Sequence, residues 1–149
     1  MASELREVQE DLAMTAFVEA SHLFKSLDPD ARRDLLGLAR VQDFEPGEVV
    51  SSASDDAFLL IYDGSATLWG VRGETPIELF TLERGAFHGE GHVLGGGLPG
   101  ALVAKTDLVA VLFPTPVVAA MAERYPRLKK LMELMKAARE KEAAARLGA

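Results

Sequence analysis

Residues 82–105 read LERGAFHGEGHVLGGGLPGALVAK, and the reading of this stretch decides the fold. Glycines at 85, 89, 91, 95, 96, 97 and 100 surround Glu90 and two histidines, His88 and His92. Backbone without Cβ atoms reaches both signs of φ and approaches a neighbour closely. Successive free N–H groups in such backbone form an anion-holding concavity, so the stretch reads as a pocket wall. Its flanks are short strand-like runs, at 49–50, 57–62, 66–71 and 77–82 before it and at 102–105 and 108–113 after it. Asp63-Gly64 is a hairpin signal, because glycine takes the positive φ of a tight turn. Several short strands at close spacing predict a sandwich or barrel closed on itself.

Helical patterns lie outside this strand region. Ser3 is a candidate N-cap, with Glu4 and Glu7 in the first turn and Leu5, Val8, Leu12, Ala16, Phe17, Ala20, Leu23 and Phe24 at helical spacing behind it. Asp28-Pro29 reads as N-cap plus first-turn proline of a second helix ending near Arg40. Phe44-Glu45-Pro46-Gly47 is a turn. Thr115-Pro116 opens a last helical section, interrupted at Pro126, where proline cannot continue the hydrogen-bond ladder freely. Beyond it Leu128, Leu131, Met132, Leu134, Met135 and Ala138 make an apolar face, and the tail AAREKEAAARLGA is good intrinsic helix with little to bury.

The 149 residues are enough for one domain with its own core. An apolar share of 48% with 26% charged residues is ordinary globular composition. The absence of cysteine excludes disulfides and thiolate metal sites. Sixteen Lys+Arg against 23 Asp+Glu give −7, the wrong sign for a nucleic-acid binder, which carries a basic patch. The one basic cluster, between Arg124 and Lys130, reads as a solvated helix face. No run has the length of a membrane span, and the start is acidic and amphipathic, unlike a signal peptide, so a cytoplasmic location without membrane insertion is expected.

Taken in order, these segments resemble the cyclic nucleotide-binding domain family, which includes catabolite activator proteins, protein kinase A regulatory subunits and gated channels. The resemblance runs from about Leu23 to about Met135 and is carried by Leu23-Phe24 and Leu27; by Phe44, Pro46, Gly47, Glu48 and Val50; by Phe58, Leu60, Ile61 and Gly64; by Gly85, Gly89 and Glu90; and by Thr106-Asp107 and Pro126. It implies an α+β fold, an antiparallel β-roll of double-stranded β-helix or jelly-roll type, flanked by N-terminal helices and a C-terminal helical pair. The expected division is an amphipathic helix at 1–22, the domain at 23–135 with its roll at about 44–114 and its helices from 115, and a helical tail at 136–149. The family's activators carry a helix-turn-helix unit after the long helix, and none is expected here.

In that family the glycine-rich cassette binds a cyclic nucleotide: a glutamate takes the ribose 2′-hydroxyl, and an arginine about ten residues later pairs with the phosphate. Carried over, Glu90 is the ribose ligand, with Gly89, Gly100 and Ala101 beside it. The arginine is missing. Counting from Glu90 reaches Gly100, counting back from Thr106-Asp107 reaches Leu98, and no arginine lies between Arg84 and Arg124. Ala86, His88 and His92 also depart from the family pattern. A charge-assisted hydrogen bond contributes about 1.5–3 kcal/mol, and a buried charge left unpaired costs about 3–5 kcal/mol. At about 1.4 kcal/mol per decade, cyclic nucleotide affinity falls by on the order of two to three decades.

Three other readings attach to the same stretch. His88, Glu90 and His92 alternate, as metal ligands on one strand face would, although two histidines in glycine-rich sequence fit a pocket rim as readily; no metal is expected. His88 or Lys105 is a candidate substitute for the lost cation, and Lys105 equally fits an outward strand position. Phe58, Phe80, Phe87 and Phe113 are core candidates, and Trp69 is core or a partial surface anchor. No nucleophile–base pair, serine elbow or phosphate loop is legible, so no enzyme is expected.

The reading that follows is a stand-alone regulatory or scaffolding module of bacterial type, without a cofactor, acting on protein partners and forming a homodimer through Leu128, Leu131, Met135 and Ala138 or through Leu5, Val8 and Leu12. The alternative is a working sensor of cAMP, cGMP or another nucleotide, whose C-terminal helix switches a partner surface.

Overall fold

The computed structural model describes residues 6–8, 11–52, 57–94 and 100–148. In chain order its elements are β1 (Arg6–Glu7), α1 (Leu12–Glu19), α2 (His22–Lys25), α3 (Pro29–Leu38), β2 (Arg40–Phe44), β3 (Val49–Ser52), β4 (Ala57–Asp63), β5 (Ala66–Arg72), β6 (Thr75–Leu82), β7 (Phe87–His88), α4 (Glu90–Leu94), β8 (Ala101–Ala104), β9 (Leu108–Pro114), α5 (Thr115–Arg124) and α6 (Pro126–Arg146). The strands make a five-stranded sheet, β1-β2-β9-β4-β7, and a four-stranded sheet, β3-β8-β5-β6. All described pairings are antiparallel. The chain changes sheet at almost every step, and this closes the expected roll.

The apolar run Phe58-Leu59-Leu60-Ile61 is buried on both faces of β4. Because side chains alternate along a strand, Phe58 and Leu60 join a first cluster with Phe24, Phe87, Val111 and Phe113 under the helices. Leu59 and Ile61 join a second cluster between the sheets, with Leu68, Leu79, Leu102 and Ala110. Each such side chain stabilises the fold by about 1.5–3 kcal/mol. Gly64 turns β4 into β5 at φ +87°, where a Cβ would run into the Asp107 carbonyl oxygen.

Two parts differ from the sequence reading. The expected helix from Ser3 to Phe24 is instead a short strand followed by two helices, β1, α1 and α2. Arg6 donates to both carboxylate oxygens of Asp43, at 2.7 and 3.1 Å, and so holds β1 against β2. Asp11 then accepts from the Met14 N–H and Ser21 from the Phe24 N–H, so each begins a new helix. Between the helix end expected near Arg40 and the turn expected from Phe44 the chain forms the strand β2, with Val41 and Phe44 as its buried positions. Downstream, the helix break at Pro126 is present, with proline at the first helical position of α6.

Candidate functional site

The site is assembled from the glycine-rich cassette and α6. Gly89, at φ +109°, reverses the chain after β7 and delivers Glu90 to the start of α4. Gly100, at φ +150°, brings the chain back to β8 so closely over β5 that a Cβ there would meet the Trp69 carbonyl oxygen. The intervening residues 95–99, including the Leu98 position, lie outside the described residues, as does Leu5.

Across from Glu90 runs α6, about 30 Å long by the rise of an α-helix. Leu128 and Met132 anchor its first half in the first cluster, with Met135 packed beside them. Ala143 enters the second cluster near the far end. Arg139 lies on the same face, between these anchors, and its Nη1 donates to both Glu90 oxygens, at 3.0 and 2.8 Å. The Glu90 side chain is 8% exposed and that of Arg139 17%, so the pair is largely shielded from water. Arg72, at the end of β5, donates from Nε to the Leu147 carbonyl (2.9 Å) and from Nη2 to the Arg146 carbonyl (2.6 Å). A cation there satisfies the open carbonyls of the helix end and suits its dipole.

The other candidates are distributed around this centre. His88 is half-buried in β7 opposite Leu59. Ala101 opens β8, paired with Ser52 and Trp69. Lys105 is exposed on the turn after β8, its N–H donating to Ser65, and forms no ion pair among the described residues. Arg84 stands 4.4 Å over the Phe17 ring and 4.8 Å over that of Tyr62 and donates to the Tyr62 carbonyl. Neither basic residue flanking the cassette pairs with Glu90. Among the described residues no cluster of three potential ligands could hold a metal ion.

The interaction candidates divide by burial. Val8 and Leu128 are fully buried in this chain's own core, Leu131 is half-buried and Met135 packs on the first cluster. Leu12, 86% exposed, and Ala138 face outward. Trp69 also reaches the surface, on the outer side of the four-stranded sheet. β3 carries a bulge, Val50 and Ser51 are both buried, and the Ser51 hydroxyl has no partner among the described residues.

Sequence reasoning missed Arg139. The signal was present, since Leu128, Met132, Met135, Arg139 and Ala143 fall on one helical face. In an alanine- and charge-rich tail, an arginine on that face reads as one more solvated charge.

No family model and no curated protein matches the sequence. Solved structures do match. The sensor domain of the transcriptional regulator DNR from Pseudomonas aeruginosa aligns with a TM-score of 0.68 at 16% identity, over 82% of this chain and 88% of that one. A cyclic nucleotide-binding-like protein from Brucella abortus gives 0.59 at 20%, over 73% and 97%. The regulatory subunit of a cAMP-independent protein kinase A from Trypanosoma cruzi, bound to guanosine, gives 0.60 at 17%, over 83% and 50%. The chain thus spans about half the length of that kinase subunit. At these identities the likeness is one of fold, and the fold is that of the cyclic nucleotide-binding domain.

Proposed function

We propose that this cyclic nucleotide-binding-like domain is a non-catalytic regulatory or scaffolding module, acting in the cytoplasm on protein partners and not as a tight cyclic nucleotide receptor. One observation carries the reading: the Glu90 carboxylate, which the family's pattern would give to a ribose, is held by Arg139 of the same chain. A nucleotide reaching Glu90 must displace that guanidinium, and it finds no arginine in the described part of the cassette to receive its phosphate. Both effects lower affinity in the same direction. Linkage then makes cassette and helix reciprocal: whatever draws Arg139 away from Glu90 favours release of the end of α6, and whatever holds α6 elsewhere opens Glu90. The outward parts of the C-terminal helices are the surfaces through which the module acts, on a second copy of itself and on other proteins.

Calorimetric titration of the intact protein with cAMP and cGMP tests this. Dissociation constants in the millimolar range, or no measurable heat, are expected. Micromolar or tighter binding would make the domain a working sensor instead.

A further inference from the structure

The missing cassette arginine bears on how a phosphate would be held, but it does not explain why Glu90 stays buried. A carboxylate taken out of water needs a counter-charge or several donors. The nearest basic residues in sequence do not supply one: Arg84 lies over the rings of Phe17 and Tyr62, which pack edge to face, and Lys105 is exposed. The charge arrives instead from 49 positions further along the chain, as a guanidinium on a helix. Among the described residues Glu90 accepts from nothing else.

The helix is shaped to make the delivery. Ala143, one turn beyond Arg139, is small enough to sink into the second cluster and let the backbone approach the roll. Arg72 then grips the carbonyls at the helix end. After Met135, Ala143 is the one fully buried side chain on α6, with Leu147 packed on the second cluster just beyond it, so the last three turns have few apolar contacts beside the two arginine contacts. Segments with few buried apolar contacts open at low free-energy cost, and a groove with a carboxylate at its wall is left when this one does.

We infer that Glu90 is a guanidinium socket: the wall that would serve an anion now binds an arginine-type cation carried on a helix, and Arg139 is its built-in occupant. This rests on the reading above, that the cassette is not a cyclic nucleotide site. The contact uses one guanidinium nitrogen against both carboxylate oxygens, in a place largely shielded from water, and a guanidinium is more weakly hydrated than the compact, strongly hydrated ammonium, so it enters such a place at lower cost. The socket therefore prefers guanidinium to ammonium.

The test is chemical rescue in the full chain. R139A empties the socket and melts below the wild type. Methylguanidinium at tenfold over its dissociation constant should raise the melting temperature of R139A by about 3–6 °C, while methylammonium and inorganic phosphate raise it less. The wild type, whose socket is filled, and the E90Q/R139A double variant should not respond, and the double variant also controls for the denaturing action of guanidinium. If R139A does not fold, R139M, which keeps a long uncharged side chain, is compared with E90Q/R139M in the same way. Equal responses with and without Glu90, no response at all, or stabilisation of R139A by phosphate in place of methylguanidinium would overturn the inference. Tight cAMP binding by the wild type would sink the underlying reading as well; absence of both effects sinks the socket alone.

Discussion

At the scale of single residues, Glu90 shows how a buried carboxylate is held by a partner from far along the chain. Its carboxylate accepts from one Arg139 nitrogen through both oxygens, and the pair is largely desolvated. Glu90→Gln keeps the shape but removes the charge, leaving a mostly buried guanidinium short of its counter-ion. A loss of about 1.5–3 kcal/mol in chemical denaturation is expected, the range for hydrogen bonds to charged groups. A loss below about 0.5 kcal/mol, the ordinary range of surface substitutions, would show that the contact holds nothing. Of the two partners only Glu90 was legible in the sequence, because glycine spacing marks a cassette locally. Arg139 was not, because a pairing across 49 positions leaves no local trace beyond a place on a helical face.

At the scale of elements, the roll was legible and the chain's beginning was not, for one physical reason. β4 to β6 announce themselves through short strand-like runs and through turn residues such as Asp63-Gly64, which act within a few positions. β1 has two residues and exists because Arg6 reaches Asp43 on β2. Another distant tie joins α3 to the start of α6. The Asp28 carboxylate caps α3 at the Ala31 N–H (2.8 Å) and accepts from the Tyr125 hydroxyl (2.7 Å) at the junction of α5 and α6. The Ala31 N–H first, and then the Tyr125 hydroxyl, hold Asp28 below its ordinary value of 3.8. The same contact with Asp28 raises Tyr125 above 10.0. A lowered carboxylate contributes stability that is present above its unfolded value and is lost as pH falls through the folded one. A raised phenol contributes stability that is full below its unfolded value and is lost as pH rises through the folded one. The melting difference between wild type and Tyr125→Phe should therefore be flat between 3.8 and 10.0 and shrink outside that window at both ends. A difference that varied across neutral pH would place the coupling on other groups.

At the scale of the whole molecule, the question is which surfaces remain once α6 has been spent on the roll. Leu128, Met132 and Ala143 face inward, so a seam with a second copy must use another side of the helix. There Leu131 is half-buried and Leu134 and Ala138 are exposed, at the i, i+3, i+7 spacing of a two-helix seam. Leu134 at 58% exposure is a large apolar side chain left in water on this face. Pairing two copies there buries it without disturbing either arginine contact, because Arg139 and Arg72 bind the roll side. Light scattering on the intact protein should return twice 16.1 kDa. Leu134→Glu, combined with Ala138→Glu, should return a single chain with its melting temperature close to that of the monomeric wild type at low concentration. A wild type of 16.1 kDa at all concentrations would remove the seam, leaving α6 as a cover for the cassette and nothing more. A dimer that survived both substitutions would move the interface to the N-terminal side, where Leu12 is the exposed apolar residue. The two results separate because the seam residues lie on α6 and Leu12 on α1.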